Sequence, residues 1–175
     1  PLQLDRGHKV YRQRAAKLHA GQAHYCAQMT IEGTCVDDLM AHKIADTHYF
    51  MCVHAGNHDQ DCGHIPAHNQ VGAEIENASA RYSQLAVQGP RALDILQRLT
   101  TTPLEPIRYY HFAFGEVDGV PCLISRTGYP GEDGVELYFA PDASEQVWTA
   151  LPTRGAADGQ SPGRLEARSA PPVAS

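Results

Sequence analysis

The chain has 175 residues, of which 42% are hydrophobic and 19% charged, a composition typical of a globular protein. Its formal net charge of −6 argues against nucleic acid as a partner, because binding to phosphates needs clustered lysine and arginine side chains. No apolar run approaches the roughly 18 residues of a membrane-spanning helix, so we expect no membrane partner.

The cysteines and the start of the chain bear on its compartment. The five cysteines are scattered and include no C-x-x-C pair, which is typical of reduced thiols in a cytosolic-type compartment. The first residues are polar and basic and show no signal peptide. Since the sequence does not begin with methionine, we interpret it as a fragment or a processed product.

The first third of the chain has the pattern of a small antiparallel sheet. Residues 1–20 show little apolar periodicity and are interpreted as a poorly ordered lead-in, so that the ordered part begins at Gly21. Alternating residues then predict three strands. They cover residues 24–29, 35–44 and 48–53. Residues 54–65 have helical spacing at best, and Pro66 is expected to end that segment.

The middle of the chain contains a second set of strand patterns. They cover residues 73–75, 82–87, 109–117, 120–126 and 135–139. Asp118 and Gly119 separate two of these strands and form a two-residue hairpin signal. Antiparallel pairing is therefore expected here as well.

Two helix patterns complete the ordered part. Gly89-Pro90 opens the first, and the second begins at Pro141 and runs to Leu151. Residues 153–175 are rich in Gly, Ala, Pro and Ser, and we expect a flexible tail there. The element order predicts an α+β fold with mainly antiparallel sheets and flanking helices.

A glycine-rich loop is the most distinctive local feature. It runs over residues 128–134, with glycines at spacing three that permit positive φ or the close approach of a ligand. Tyr129 offers a ring and a hydroxyl, and Glu136 just beyond the loop offers acceptors. The loop has no lysine or arginine, so it suits a ring with N–H donors better than a phosphate. The alternative is a plain β-turn with surface acids.

Two adjacent acids, Asp37 and Asp38, lie inside an otherwise apolar strand. Their side chains point to opposite faces, so one carboxylate is expected to face the interior or a cavity. A carboxylate in that position needs a donor or a cation, as a substrate-binding acid does. The alternative is a strand-end turn with both acids in water.

Six candidate metal ligands crowd into one short segment. They are His54, His58, Asp59, Cys62, His64 and His68. His54 and His58 have the spacing of two zinc ligands on one helix face, but the segment lacks the paired ligands of a closed structural site. We therefore assign no metal ligand and keep a His-rich metal-binding protein as an alternative function.

Seven short blocks, taken in order and at their distances, resemble the T-protein of the glycine cleavage system, an aminomethyltransferase. They are Lys17–Tyr25, Val36–Leu39, Leu85–Pro90, Tyr110–Ala113, Gly119–Pro121, Ser125–Tyr129 and Gly131–Leu137. The resemblance covers roughly residues 17–151. The Gly-Glu-Asp-Gly form of the loop favours this branch over relatives in the same folate-binding superfamily.

The resemblance implies a reaction and its participants. The one-carbon unit of an aminomethyl group on the lipoylated H-protein would pass to tetrahydrofolate, a co-substrate, with release of ammonia. Residues 21–152 would form a partial folate-binding domain of a cloverleaf fold, in the cytoplasm or, in a eukaryote, the mitochondrial matrix. A non-catalytic folate-binding remnant is the alternative, because the family's first strand and helix and its C-terminal barrel have no counterpart here.

The resemblance also implies roles for single residues. Asp38 matches the aspartate near the reacting folate nitrogens, where a carboxylate can orient the amine and relay a proton. Tyr129 and Glu136 match residues that hold the pterin, whose N–H groups a carboxylate accepts side by side. Phe50 and His54 stand where the family usually carries a Tyr and an Asn facing folate. Asp38 and Glu136 are thus expected to meet across one pocket.

Overall fold

The computed structural model describes residues 17–70, 72–128 and 133–155. Residues 1–16 of the expected lead-in, the expected tail beyond residue 155 and the candidate Tyr129 lie outside the described residues. Within the described part, no helix combines the length and apolar character needed to cross a membrane.

Three antiparallel strands form the first sheet, in the order β1–β2–β3. They are β1 (Ala23–Met29), β2 (Cys35–Ala45) and β3 (His48–Val53). Their existence and bounds agree closely with the predicted strands, because the alternation of side chains persists along each one. In β2, Leu39 and Ala41 are buried on one face while Met40 points to the other.

The segment after β3 differs from its predicted form. A short 3₁₀ turn, Ala55–Asn57, comes first, and α1 (His58–Ala67) follows it. Pro66 lies inside the last turn of α1 rather than ending the segment before it. Pro66 has no N–H to donate to the Cys62 carbonyl, and the helix ends one residue beyond it.

The strand predicted at residues 73–75 is wrong, since these residues have no regular secondary structure. The side chain of Asn69 donates from Nδ2 to the carbonyl of Ala73 at 2.7 Å and accepts from the Ala73 N–H at 3.1 Å. Backbone groups that a sheet would use are therefore already bonded to a side chain.

Four antiparallel strands form the second sheet, in the order β4–β7–β6–β5. They are β4 (Ser83–Gln88), β5 (Phe112–Val117), β6 (Val120–Ser125) and β7 (Gly134–Phe139). Asp118 and Gly119 join β5 to β6 with φ of 51° and 79°, the left-handed pair that an Asp-Gly hairpin favours. β5 begins later than predicted because Tyr110 has a φ of 57°, which interrupts the extended backbone.

Two helices cover one face of the second sheet. They are α2 (Ala92–Gln97) and α3 (Ser144–Gly155), and the 3₁₀ turn Pro141–Ala143 leads into α3. The side chains buried between helices and sheet include Val87, Leu96, Ile124, Val135, Leu137 and Val147. Each such side chain contributes about 1.5–3 kcal/mol when fully buried, so this layer is the main apolar core of the described residues.

The other face of the second sheet packs against the first sheet, and we call this contact the inter-sheet interface. It contains Ala23, Met40, Ile44, Phe50, Cys52, Tyr110, Phe112, Leu123 and Tyr138. Backbone hydrogen bonds join the sheets beside it, from Phe112 N to Gly21 O at 2.9 Å and from Ala23 N to Tyr110 O at 2.8 Å. Sheet, sheet and helices therefore form three layers, which confirms the α+β prediction.

Candidate functional site

Glu136 lies on β7, on the side of the strand that faces the first sheet. Alternation along β7 places Glu136 and Tyr138 on this side, whereas Val135 and Leu137 face the helices. β7 is central in its sheet and pairs with both β4 and β6, so its backbone is fixed on two sides. The strand therefore holds this carboxylate in a defined position.

Three neutral donors converge on the Glu136 carboxylate. Gln84 Nε2 donates to Oε1 at 2.9 Å, the Tyr138 hydroxyl donates to Oε2 at 3.2 Å, and the Thr127 hydroxyl also donates to Oε2. Burial raises the pKa of Tyr138, so its hydroxyl keeps the proton that it donates. A carboxylate has about four acceptor positions, and Oε1 therefore retains one for a ligand.

Cys52 fixes the orientation of the Gln84 amide. The thiol on β3 donates to Gln84 Oε1 at 3.2 Å, which leaves Nε2 for Glu136. Burial raises the pKa of the Cys52 thiol to about 11, so the thiol stays protonated and a donor at neutral pH. This contact also links the first sheet to the second.

The base of the glycine-rich loop is a close contact between two glycines. A Cβ added at Gly128 would come within 2.6 Å of Gly134 Cα, and one added at Gly134 would lie 3.1 Å from Gly128 Cα. Only glycine fits at the first of these positions without a backbone shift. The glycines were expected to permit the close approach of a ligand. Here they permit a contact between two parts of the chain's own backbone, two residues before Glu136.

Asp38 lies on β2, on the side that faces the second sheet. It shares that side with Met40 and His42, two and four residues further along the strand. The Tyr25 hydroxyl on β1 donates to Asp38 Oδ2, and His54 Nδ1 lies 2.9 Å from Oδ1. The side chain is 34% exposed, so this carboxylate has both partners and access to solvent.

Asp37 is the more buried member of the acid pair, with a side chain only 9% exposed. His54 Nδ1 hydrogen-bonds Asp37 Oδ1 at 3.1 Å, so a single exposed imidazole contacts both acids. Burial alone would raise the pKa of Asp37, but hydrogen bonds from Asp61, the Asp38 backbone and Asn57 outweigh it and lower that pKa.

Asp61 on α1 is a site residue that the sequence analysis missed. It is fully buried, and burial together with the Asp37 carboxylate raises its pKa well above the usual value. The raised pKa favours the protonated form of Asp61, beside the Asp37 carboxylate. An acid on the covered side of a short helix has no sequence signal, since α1 lacks clear apolar periodicity.

The six candidate metal ligands do not converge on one centre among the described residues. His54 precedes α1 and so does not share a helix face with His58, whose Nε2 contacts Ser79 Oγ at 2.9 Å. Asp37, Asp38 and His54 bring one ligand atom each within 4.8 Å of one another, and these three could hold a metal ion.

Phe50 forms part of an aromatic cluster at the inter-sheet interface. Its ring centroid lies 5.1 Å from Tyr82 and 5.2 Å from Tyr138, with both pairs edge to face. Tyr138 in turn hydrogen-bonds Glu136, so the Tyr138 side chain connects Phe50 to that carboxylate.

The sequence-predicted residues that the structure describes thus lie on two facing sheets. Asp38 and Phe50 belong to the first sheet, Glu136 to the second, and His54 lies beside Asp38 at the end of β3. Met40, next to Asp38 on its face, pairs with Cys52, which reaches Glu136 through Gln84. That one ligand bridges Asp38 and Glu136 stays a prediction.

A small apolar recess lies on the opposite side of the second sheet. It is lined by Leu93, Leu104, Ile107, Ile124, Arg126 and Val135. Ile124 and Val135 face the helices, so this recess is separated from Glu136 by the thickness of the sheet. The recess belongs to the helix layer and not to the candidate site.

Sequence comparison gives a consistent match over most of the chain. The family model described as the GCVT N-terminal domain matches residues 7–170. A curated aminomethyltransferase of Desulforamulus reducens is 44% identical over 153 residues, which are 87% of this chain and 42% of the relative. One of Phocaeicola vulgatus is 42% identical over 169 residues, 96% of this chain and 47% of the relative. The chain thus spans less than half the length of these relatives.

Two solved structures share the fold. The glycine cleavage system aminomethyltransferase T of Bartonella henselae superposes with a TM-score of 0.69 at 24% identity, covering 83% of this chain and 39% of that one. The heterotetrameric sarcosine oxidase of Corynebacterium sp. U-96 gives a TM-score of 0.58 at 14% identity, covering 83% and 69%. Both likenesses confirm the predicted architecture of the sheets and flanking helices.

Proposed function

Because this chain belongs to the GCVT N-terminal domain family, we propose that it acts in the transfer of a one-carbon unit to tetrahydrofolate. The unit is the aminomethyl carbon carried by a lipoylated H-protein, and ammonia is released. Relatives that are named aminomethyltransferases and match 87–96% of this chain support the reaction class.

The single observation that carries the proposal is the Glu136 carboxylate with its three neutral donors. These donors fix its orientation and leave Oε1 able to accept a further N–H. A pterin ring presents an amino group and ring N–H groups, and a carboxylate acceptor suits them. Tyr129 and Phe50 are proposed to add ring contacts to the same ligand.

Asp38 is proposed as the catalytic residue. Two folate nitrogens each form a bond to the aminomethyl carbon and lose a proton. The bonds from that carbon to the departing ammonia and to the lipoyl sulfur break, so the lipoyl arm leaves as a thiol. Asp38 accepts or relays a proton, which is worth about 10²–10⁴-fold in rate. Its partly exposed side chain and its contacts with Tyr25 and His54 support this role, since they orient the carboxylate without fully enclosing it.

Two measurements test the proposal. Calorimetric titration with tetrahydrofolate should show saturable binding of one equivalent. Ammonia release should then depend on both tetrahydrofolate and the aminomethylated H-protein. Binding without ammonia release would identify a folate-binding remnant, and the lack of any response at millimolar tetrahydrofolate would refute the proposed function.

A further inference from the structure

Three side chains that can bind a metal ion meet at one end of the first sheet. Asp37, Asp38 and His54 each bring one ligand atom within 4.8 Å of the other two. His54 Nδ1 lies 3.1 Å from Asp37 Oδ1 and 2.9 Å from Asp38 Oδ1. Atoms that are each about 2.0–2.2 Å from the same zinc ion are at most about 4.4 Å apart. Small rotations of these side chains would therefore let them surround one ion.

A single imidazole proton does not satisfy both acids. A protonated Nδ1 of His54 has one proton to donate. It hydrogen-bonds Asp37 Oδ1, whereas the buried Asp38 Oδ1 has no hydrogen-bond partner among the described residues although Nδ1 lies close to it. A metal ion would instead accept a lone pair from all three atoms at once.

A third acid, Asp61, adds negative charge beside these ligands. It is fully buried on α1, and its carboxyl group contacts that of Asp37. Apart from this contact, neither of its oxygens has a hydrogen-bond partner in the part of the chain that the structure describes. A buried carboxylate is costly without a donor or a cation. His54 supplies at most one positive charge to three carboxyl groups, so the group attracts a further cation.

Gln28 gives a similar indication on the neighbouring strand. It pairs with Asp37 in the β1–β2 ladder, so the two side chains lie on the same face of the sheet. Gln28 is fully buried, and neither atom of its amide group has a hydrogen-bond partner within the described ranges. A buried amide oxygen suits a cation or the water that a cation carries. Polar groups from a strand and from a helix thus adjoin Asp37 without donors of their own.

The donor atoms favour a transition-metal ion over Mg²⁺ or Ca²⁺. One imidazole nitrogen stands among carboxylate oxygens, and imidazole suits Zn²⁺, whereas Mg²⁺ and Ca²⁺ bind through oxygen. Three protein ligands leave a fourth position for water, as in open zinc sites. The Tyr25 hydroxyl donates to Asp38 Oδ2, which orients this carboxylate and leaves Oδ1 for the ion.

We propose that Asp37, Asp38 and His54 form a binding site for one Zn²⁺ ion, through Oδ1, Oδ1 and Nδ1, with Asp61 adding negative charge beside it. The site uses only His54 from the His-rich segment. Its effect on catalysis rests on the proposed function. An ion on Asp38 Oδ1 occupies the carboxylate that would accept a proton, so bound Zn²⁺ inhibits the transfer.

Calorimetric titration of the metal-free chain with ZnCl₂ at pH 7 tests the site without folate. The unmodified chain should bind one equivalent there. His54→Asn removes the nitrogen ligand and should weaken this binding at least about tenfold, since loss of a residue that only supports a ligand already costs about 10–100-fold. The His54 side chain is 59% exposed, so this variant should fold normally. No binding of Zn²⁺, or unchanged affinity in His54→Asn, would overturn the proposal.

A competing zinc site is available on α1, where His58 Nε2 and Cys62 Sγ lie 3.5 Å apart. His58→Asn is therefore the matched control and should leave the binding at His54 unchanged. Loss of Zn²⁺ binding in His58→Asn but not in His54→Asn would place the ion on α1 and overturn the proposal. MgCl₂ should bind far more weakly than ZnCl₂, and equal affinities would overturn the choice of a transition metal.

The inhibitory effect is tested by the ratio of ammonia release with and without Zn²⁺. In the unmodified chain Zn²⁺ should inhibit at concentrations that fill the site, and EDTA should reverse the inhibition. His54→Asn should need at least about tenfold more Zn²⁺ for the same ratio. Equal inhibition in both would assign the effect to the lipoyl thiols and overturn the inhibitory role. Absence of ammonia release without Zn²⁺ would refute the proposed function, while calorimetry still decides the metal site.

Discussion

The two acids of the candidate site are held in different ways. Glu136 has three neutral donors, two of them from buried side chains, on a central strand of the second sheet. Asp38 has an exposed imidazole and a half-exposed tyrosine hydroxyl beside it, and a second acid next to it in sequence. A rigid carboxylate that is held by three donors suits recognition of a ligand, whereas a more accessible one suits proton transfer. The following changes should separate these two roles.

The largest effect is expected at Asp38. Asp38→Asn keeps the shape of the side chain but removes the proton acceptor, so the rate of ammonia release should fall about 10²–10⁴-fold. Tetrahydrofolate affinity should change little, because Glu136 and not Asp38 is the proposed acceptor for the pterin. The measurement pairs a turnover assay with calorimetry. Near-normal turnover would show that Asp38 is not the proton acceptor.

Glu136→Gln should give the reverse pattern. The amide keeps one acceptor but introduces an NH₂ group that faces the donors of Thr127, Tyr138 or Gln84, and a charged hydrogen bond is worth about 1.5–3 kcal/mol. Tetrahydrofolate binding should weaken about 10–100-fold. Glu145→Gln, on the exposed surface of α3, is the matched control. Unchanged affinity in the Glu136 variant would remove this residue from the folate site.

Asp61→Asn should affect stability rather than binding. The raised pKa of Asp61 means that the folded state holds a proton that the unfolded state releases, so stability falls as pH rises from the usual aspartate pKa towards the raised one. An asparagine keeps an N–H donor for Asp37 at every pH. Its Tm should therefore exceed that of the unmodified chain at pH 7 and converge with it near pH 4.

Thermal melts at the two pH values provide that measurement, with Asp59→Asn as the control on the exposed side of the same helix. A gain in Tm that is equal at pH 4 and pH 7 would contradict the raised pKa of Asp61. The Tm values thus show whether a buried acid, Asp61, destabilises the Asp38 side of the site when it ionises. The Glu136 side has no such acid among the contacts described.

The smallest effect is expected at His54. Its side chain is 59% exposed, and exposed ion pairs contribute about 0–1 kcal/mol. His54→Asn should therefore change turnover by less than about threefold while Asp38 keeps its contact with Tyr25. A large loss of turnover without a loss of stability would assign His54 a direct part in proton transfer.

The sequence predicts the sheets well, because side-chain alternation along β1, β2, β3 and β7 depends only on which face each residue presents. It fails where one residue overrides the pattern. Asn69 bonds the backbone of Ala73 in place of a strand, and the positive φ of Tyr110 delays β5. Neither effect leaves a trace in the spacing of apolar residues, so a prediction from hydrophobic periodicity misses both.

The candidate site is predictable in its acids but not in its partners. Asp38 and Glu136 are found through ordered sequence blocks, whereas Gln84, Cys52 and Asp61 come from segments whose pairing is set by the tertiary fold. Thr127 is the exception, since it lies within the block that ends at Tyr129, and its two-residue spacing from Ser125 implies hydroxyls on one side of a strand.

The contact between Gly128 and Gly134 has a practical consequence for protein engineering. It closes the glycine-rich loop at its base, so the position of Glu136 depends on the two glycines and not on the length of the loop between them. Lengthening a loop costs only about 0.6 kcal/mol for each doubling of its length. Residues inserted between the two glycines should therefore be tolerated by the fold, which makes this loop a place to graft a reporter peptide or to alter ligand preference.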